Sequence, residues 1–154
     1  MRVEIKEMRE LRVATLPHTG PYIRISETFA RLGEIAGIAG LIGPETTMLA
    51  VYYDDPATTP AFKLRADAAL VVPPDARLPL GFTEKRVPPG RYACTIHIGP
   101  YEELGDAWAH FRGEWLAQSG YHMGDGVSYE IYRNTPADTS KEKLKTELYM
   151  PVAR

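Results

Sequence analysis

The amino-acid sequence predicts an α+β fold, a duplicated strand–helix–strand–strand module with two antiparallel sheets that carry one helix each. Three observations support this prediction. The word His-x-Gly-Pro-Tyr occurs twice, in "PHTGPY" and "IHIGPY", at an offset of 79 residues. An apolar stripe with helical spacing follows each copy at the same offset, and two strand-like segments follow each stripe. We therefore expect a pseudo-twofold axis between the halves and a central groove for a ligand.

The expected elements occur in the same order in both halves of one domain, residues 1–154. The first repeat, about residues 1–73, contains "VEIKEM", "RVATLPH", a helix from Pro21 to about Ala39, "TMLAVYY" and "LRADAALVV". The second repeat, about residues 81–154, contains "GFTEKRV", "RYACTIHI", a helix from Pro100 to about Ser119, "VSYEIY" and "LKTELYMPV". Residues 74–80 lie in a polar segment rich in proline, which predicts the linker.

Each helix is predicted from apolar residues that recur at i, i+4, i+7 and i+11, which places them on one face. The two stripes are Ile25, Phe29, Leu32 and Ala36 and, 79 residues later, Leu104, Trp108, Phe111 and Trp115. The second stripe carries the larger side chains. Because the stripes and the repeated words share one offset, an internal duplication explains both.

The repeated word has a structural explanation. Gly20 and Gly99 can turn the backbone out of a strand at little steric cost, and the proline after each suits the first helical position. We expect His18 and His97 to hydrogen-bond the turn or to lie half-buried beside it. Neither histidine has the spacing to another histidine that a metal site needs. The word therefore predicts a turn, and neither a catalytic site nor a metal site.

The composition excludes several classes of protein. With 44% hydrophobic and 25% charged residues and a net charge of −2, the chain is typical of a soluble globular domain. Neither half is basic, so we expect no direct nucleic-acid binding, and no apolar run is long enough for a membrane span. The single cysteine, Cys94, is expected to be a buried thiol in a cytoplasmic protein. Catalytic and phosphate-binding motifs are absent, and no cofactor or metal is expected.

Chemistry is most plausible on the last two strands. Glu130 and Tyr132, and likewise Glu147 and Tyr149, are two residues apart, which places each pair on one strand face. We expect both pairs to face the groove between the repeats. The neighbours expected to contact the helix stripe are Tyr129, Ile131, Leu148 and Met150. The alternative is that both glutamates lie on the solvated side of the sheet.

A difference between the repeats favours the functional interpretation. Val51 aligns with Glu130, and a one-residue adjustment at Leu64 aligns Asp67 with Glu147. A carboxylate framed by aromatic rings suits a flat cationic ligand, because the ring faces attract cations and the carboxylate supplies the counter-charge. The candidate walls are Tyr52, Tyr53, Tyr132 and Tyr149, with the edge of Trp108.

The stretches "VYYDDPATTPAFKLRADAALVVP" (Val51–Pro73), "YEIYRNTP" and "TELYMPV" resemble the GyrI/SbmC family of DNA gyrase inhibitory proteins. They also resemble effector-binding domains of multidrug-responsive transcription regulators. The resemblance covers nearly the whole chain and implies a duplicated module with a groove for amphipathic or cationic molecules. It also implies that the groove glutamates are Glu130 and Glu147. Because the first strand starts at about Val3, we expect no DNA-binding domain ahead of it.

Two functions remain open at this point. In the first, the protein binds toxic small molecules, or DNA gyrase itself through the segment Val87–Ile96, and protects cells without chemistry. In the second, it is a hydrolase that opens cyclopropane-bearing DNA-alkylating toxins, as the resemblance to some GyrI-like proteins implies. Glu130 or Glu147 would then be the catalytic base that activates water. Because both functions would use the same residues, the sequence does not separate them.

Overall fold

The computed structural model describes all 154 residues, Met1–Arg154. The chain forms two compact units. The first unit is Glu10–Pro88, and the second unit combines Met1–Arg9 with Pro89–Arg154. Each unit contains antiparallel strands and one helical segment, which confirms the α+β class. None of the helices has the length and apolar character that crossing a bilayer requires. The pseudo-twofold axis stays a prediction.

The first unit contains four antiparallel strands in the order β3-β4-β2-β5. Their bounds are Leu11–Thr19 for β2, Met48–Tyr52 for β3, Arg65–Val71 for β4 and Thr83–Val87 for β5. Helix α1, Ile25–Ile38, follows a short 3₁₀ turn at Tyr22–Arg24. Its stripe packs on one strand face, where Ala14, Leu16, Ala68 and Leu70 complete the core. The predicted stripe is therefore confirmed.

The second unit has the corresponding strand order β1-β6-β9-β8. The bounds are Val3–Met8 for β1, Gly90–Ile98 for β6, Ser128–Tyr132 for β8 and Lys145–Ala153 for β9. A two-residue strand, β7 at His122–Met123, pairs with the end of β9 and was not predicted. It is too short to leave a pattern in the sequence.

The helix of the second unit is not uniform. Helix α2, Leu104–His110, continues into a π-helical turn at Phe111–Trp115 and then into α3, Leu116–Ser119. Its stripe packs against Ala93, Leu148, Met150 and Val152. Bulky rings fill this core, and Phe111 contacts both tryptophans, with ring centroids at 5.8 Å and 5.4 Å. The π-helical turn was not predicted, because an apolar stripe has nearly the same spacing with or without it.

The repeated word forms a turn in both units. Gly20 and Gly99 have φ angles of 120° and 140°, which other residues adopt only under strain. His18 is buried; its Nδ1 lies 2.9 Å from Thr28 Oγ1 and its Nε2 lies 3.0 Å from the Pro21 carbonyl. The structural interpretation of His18 is therefore confirmed. The prolines precede the 3₁₀ turns and do not occupy the first α-helical position, because each α-helix begins four residues later.

Each leading strand pairs with the other repeat. Strand β1 pairs with β6, and β5 pairs with β2. Each compact unit consequently combines residues from both sequence repeats. This exchange of β1 and β5 between the repeats has no local signal in the sequence, because a partner strand from either repeat has the same alternation of apolar residues.

The register between the repeats changes before β3, earlier than predicted. The Tyr22 ring contacts Tyr52, and the Tyr101 ring contacts Tyr132, so the offset grows from 79 to 80 residues between the helix and the next strand. The pairing of Tyr52 with Ala66 and of Tyr132 with Thr146 agrees. The alignment of Val51 with Glu130 was therefore wrong. The residue equivalent to Glu130 is Ala50.

Candidate functional site

The strand register places the two candidate glutamates on opposite faces of the strands. Residues directly across an antiparallel pair share a face. Glu130 lies opposite Leu148, which packs under the helix, whereas Glu147 lies opposite Ile131. The expectation that both glutamates share one face was wrong. The contact of Leu148 with the helix is confirmed, while Tyr129 and Ile131 lie on the other face, because they pair with Tyr149 and Glu147.

Glu130 is buried on the helix face and accepts hydrogen bonds from two aromatic side chains. The indole Nε1–H of Trp108 donates to Glu130 Oε2 over 2.6 Å, and the hydroxyl of Tyr132 donates to Oε1 over 2.8 Å. The carboxyl group is 1% exposed and Trp108 is 7% exposed. The structure thus brings three of the predicted site residues together. Such bonds fix the orientation of the carboxylate.

Tyr101 extends this cluster and was not predicted as a site residue. Its ring meets the Tyr132 ring edge-on at 5.6 Å, and its hydroxyl lies 3.5 Å from the Asn134 carbonyl. Burial raises the pKa of the Tyr101 hydroxyl, and the nearby Glu130 raises it further. The signal was in the sequence, because Tyr101 is the tyrosine of the repeated word. We call Glu130, Trp108, Tyr132 and Tyr101 the Glu130 cluster.

Glu147 is held by a cation. Arg133 Nε donates to Oε2 over 2.7 Å, and the hydroxyl of Tyr149 donates to Oε1 over 2.7 Å. Glu147 is 6% exposed, whereas the side chain of Arg133 is 54% exposed. The hydrogen bond to Glu147 raises the pKa of Arg133. Arg133 was not predicted, although it lies two residues after Ile131 and therefore on the Glu147 face.

Tyrosines pack around Glu147 on this second face. Tyr149 stacks on Tyr129 with centroids 4.7 Å apart, and Tyr92 meets Tyr129 edge-on at 5.4 Å. Burial first, and then the hydrogen bond to Glu147, raise the pKa of Tyr149 well above its ordinary value. Cys94 lies across from Tyr149, is buried and free, and burial raises its pKa. The expected burial of the Cys94 thiol is therefore confirmed.

Tyr53, the sixth predicted site residue, lies in the first unit beside a third buried acid. Its hydroxyl donates to Asp67 over 2.5 Å, and Lys85 Nζ lies 2.7 Å from the same oxygen. Lys85 also lies over the Tyr53 ring, 5.1 Å from its centroid. Asp67 takes the place that Glu147 has in the second unit, as predicted. Each unit therefore pairs a buried carboxylate with a cationic side chain, Asp67 with Lys85 and Glu147 with Arg133. Glu130 differs, because its equivalent in the first repeat is Ala50.

A family model described as "GyrI-like small molecule binding domain" matches residues 1–153. The chain belongs to the GyrI-like family. The resemblance noted in the sequence is thereby confirmed, and the domain binds small molecules. The GyrI-like protein contains no group of three or more His, Cys, Asp or Glu side chains arranged to hold a metal ion.

Three relatives of this GyrI-like protein are named as DNA gyrase inhibitors. It is 31% identical to "DNA gyrase inhibitor" of Erwinia billingiae, over 100% of this chain and 99% of the relative. It is 30% identical to the protein of that name from Escherichia coli K12, over 99% and 97% of the two chains. A protein named "DNA gyrase inhibitor 2" from Dickeya dadantii is 38% identical over 71% of this chain and 69% of the relative.

Solved structures confirm the fold of the GyrI-like protein. The EcmrR C-terminal domain matches with a TM-score of 0.81 at 17% identity, over 99% of this chain and 98% of that one. SAV2435 bound to tetraphenylphosphonium matches at 0.68 and 16%, over 99% and 94%. A hydrolase from Listeria innocua matches at 0.66 and 14%, over 99% and 92%. EcmrR was also solved in complex with DNA, and this chain covers 57% of that protein.

Proposed function

We propose that this protein captures cationic aromatic small molecules at the Glu130 cluster and thereby protects cells from toxic molecules. The proposal is supported by one observation above all: a fully buried acid lies behind a layer of aromatic side chains on the helix face. The family's small-molecule binding agrees with it. A cytoplasmic location and the absence of direct nucleic-acid contact are part of the same proposal and stay predictions.

The burial of Glu130 suits binding better than hydrolysis. A ligand cation can rest on aromatic rings and still feel a carboxylate behind them, because the attraction at ~7 Å is roughly 2 kcal/mol at the effective dielectric of a protein. A general base must instead lie within hydrogen-bond reach of the water that it activates. With 1% exposure, Glu130 offers no such place to water from solvent. Binding therefore needs less rearrangement of this site than catalysis does.

Glu147 fits catalysis no better. Both of its oxygens accept hydrogen bonds of 2.7 Å, one of them from the guanidinium of Arg133. A neighbouring arginine stabilises the charged form of a carboxylate, so the carboxylate is a weaker base. We propose that Glu147 and Tyr149 have a structural role. Their place among the ligand-binding residues stays a prediction, as does that of Tyr53.

Calorimetric titration with tetraphenylphosphonium, followed by mass spectrometry with an electrophilic cyclopropane toxin, tests the proposal. We expect saturable binding of the phosphonium, because its four rings and its positive charge match the aromatic layer and the acid behind it. We expect the toxin to be recovered unchanged. Failure to bind the phosphonium would contradict the proposal. The control is the toxin incubated without protein. A ring-opened product that forms faster with protein than without it would favour the hydrolase.

DNA gyrase inhibition is a second candidate function, favoured by the shared name of relatives that are about 30% identical over their full length. The segment Val87–Ile96, predicted to carry it, lies largely in β6, which pairs with β1 on one side and β9 on the other. Tyr92 and Ala93 are buried. Ile96, 51% exposed, is the large apolar side chain of this strand segment that remains open to a partner.

We expect the protein to inhibit DNA supercoiling by gyrase and Ile96→Asp to lose this inhibition, because a charge at an apolar contact is costly to bury. Leu80→Asp is the matched control, since Leu80 is 99% exposed and lies outside the segment. A supercoiling assay on an agarose gel measures both variants. Equal inhibition by Ile96→Asp would place the gyrase contact elsewhere, and no inhibition below a large stoichiometric excess would remove this candidate.

A further inference from the structure

Trp108 contacts charged groups of both signs. Its indole N–H donates to Glu130, and the guanidinium of Arg112 lies over its ring, with Cζ 4.8 Å from the centroid. A cation within about 6 Å of an indole centroid is attracted by the ring quadrupole. The ring face beside the buried acid therefore already holds a cation that belongs to the protein itself.

Arg112 is the partly exposed member of this arrangement. Trp108 and Glu130 are buried, whereas Arg112 retains contact with solvent. Its backbone lies in the π-helical turn, four residues after Trp108, which brings the two side chains to the same side of the helix. Turns of this kind are frequent at functional sites. A long arginine side chain can leave the ring by changing rotamers, without movement of the helix.

We propose that Arg112 is a resident cation, which a cationic ligand must displace from the Trp108 ring, so that Arg112 sets the preference of the site between cationic and neutral aromatic molecules. This inference rests on the proposed binding at the Glu130 cluster. A neutral ligand competes only for space on the ring. A cation also meets the repulsion of the guanidinium, so Arg112 weakens the binding of cations more than that of neutral molecules.

The test is a pair of titrations on Arg112→Met and the wild type. Methionine keeps an unbranched apolar side chain over the ring and removes the charge. We expect Arg112→Met to bind tetraphenylphosphonium about two- to fivefold more tightly, the range that one exposed cation–π contact supports. Triphenylphosphine oxide is the neutral probe, and its affinity is expected to change by less than that of the phosphonium.

Arg154→Met is the matched control. Arg154 lies over the Tyr121 ring at 5.2 Å in the same unit, so this variant removes one arginine–aromatic contact and one positive charge away from the Glu130 cluster. We expect it to leave both affinities unchanged. A gain equal to that of Arg112→Met would show that net charge alone is responsible, and would overturn the proposal.

Other outcomes separate this inference from the function on which it rests. If the wild type binds the phosphonium and Arg112→Met binds it equally or more weakly, Arg112 is not a competitor and the inference fails alone. In a second outcome, the wild type binds the phosphonium, while Arg112→Met binds the phosphonium and the phosphine oxide more tightly by the same factor. In that case Arg112 obstructs the ring through its size alone, and the inferred preference for charge is wrong. If neither protein binds the phosphonium, the proposed function and the inference fail together.

Discussion

Glu130→Gln is expected to weaken the binding of tetraphenylphosphonium by about tenfold or more. For a ligand cation ~7 Å from the carboxylate, loss of that charge costs roughly 2 kcal/mol at an effective dielectric of about 20. Glutamine keeps the size and one acceptor of glutamate, so one of the two bonds from Trp108 and Tyr132 can persist. Isothermal titration calorimetry measures the change, and thermal unfolding checks that the variant remains folded.

Glu147→Gln is the matched control for this prediction. It makes the same change one strand away, on the opposite face, where Arg133 already supplies a counter-charge. We expect its affinity for the phosphonium to stay within about twofold of the wild type, because Glu147 lies on the opposite strand face and salt screens charges that are farther from the ligand more strongly. Loss of binding in Glu147→Gln with no loss in Glu130→Gln would place the ligand on the Glu147 face and would contradict this prediction.

Arg133→Met is expected to lower the free energy of unfolding by about 1–3 kcal/mol. The substitution leaves the buried carboxylate of Glu147 with one hydrogen bond, from Tyr149, and without the guanidinium. A buried charge that loses its partner costs more than an exposed ion pair contributes. Urea denaturation followed by circular dichroism measures the loss.

Arg91→Met supplies the comparison for this second prediction. Arg91 also forms an ion pair, with Glu7 at 3.2 Å, but both side chains are exposed. We expect this variant to lose less than about 1 kcal/mol. The double variant Arg133→Met with Glu147→Met should lose less than the sum of its single variants, because no charge is left buried. Equal losses for Arg133→Met and Arg91→Met would argue against a structural role for Glu147.

Most of the fold could be predicted from the sequence because a duplicated module repeats its own signals. The word His-x-Gly-Pro-Tyr marked each strand-to-helix turn, and the two apolar stripes identified the faces that form the cores. The exchange of β1 and β5 could not be predicted. Edge strands of alternating polarity fit either sheet, and the choice depends on the path of the whole chain.

The structure brings together three residues that were predicted to share a site, Glu130, Trp108 and Tyr132, but their place on the helix face was not predicted. A strand reverses its face with every residue, so the pairing register of β8 with β9 decides the face of Glu130, and it places Glu130 across from Leu148 on the helix face. The repeated tyrosines carried the missing information, since Tyr22 contacts Tyr52 and Tyr101 contacts Tyr132. An alignment of the two repeats that is anchored on those contacts makes Ala50 the equivalent of Glu130. It therefore assigns Glu130 to the strand face under the helix.

The charged partners were the hardest part to predict. Arg133 and Arg112 both follow simple spacing rules, two residues along a strand from Ile131 and four along a helix from Trp108. The same spacing is common among solvent-exposed arginines, so the rule alone selects too many candidates. Burial of Glu147 and Trp108 is what gives these two contacts their significance, and burial of single side chains depends on the finished fold.

A crystal structure of the protein with tetraphenylphosphonium tests the central claim most directly. We expect the phosphonium on the helix face of β8, with at least one aromatic ring of the Glu130 cluster within the roughly 6 Å that cation–π contacts allow. We also expect the guanidinium of Arg112 to have left the Trp108 ring. Ligand density beside Glu147 and Arg133, with the Glu130 cluster unchanged and Arg112 still on the ring, would contradict the account.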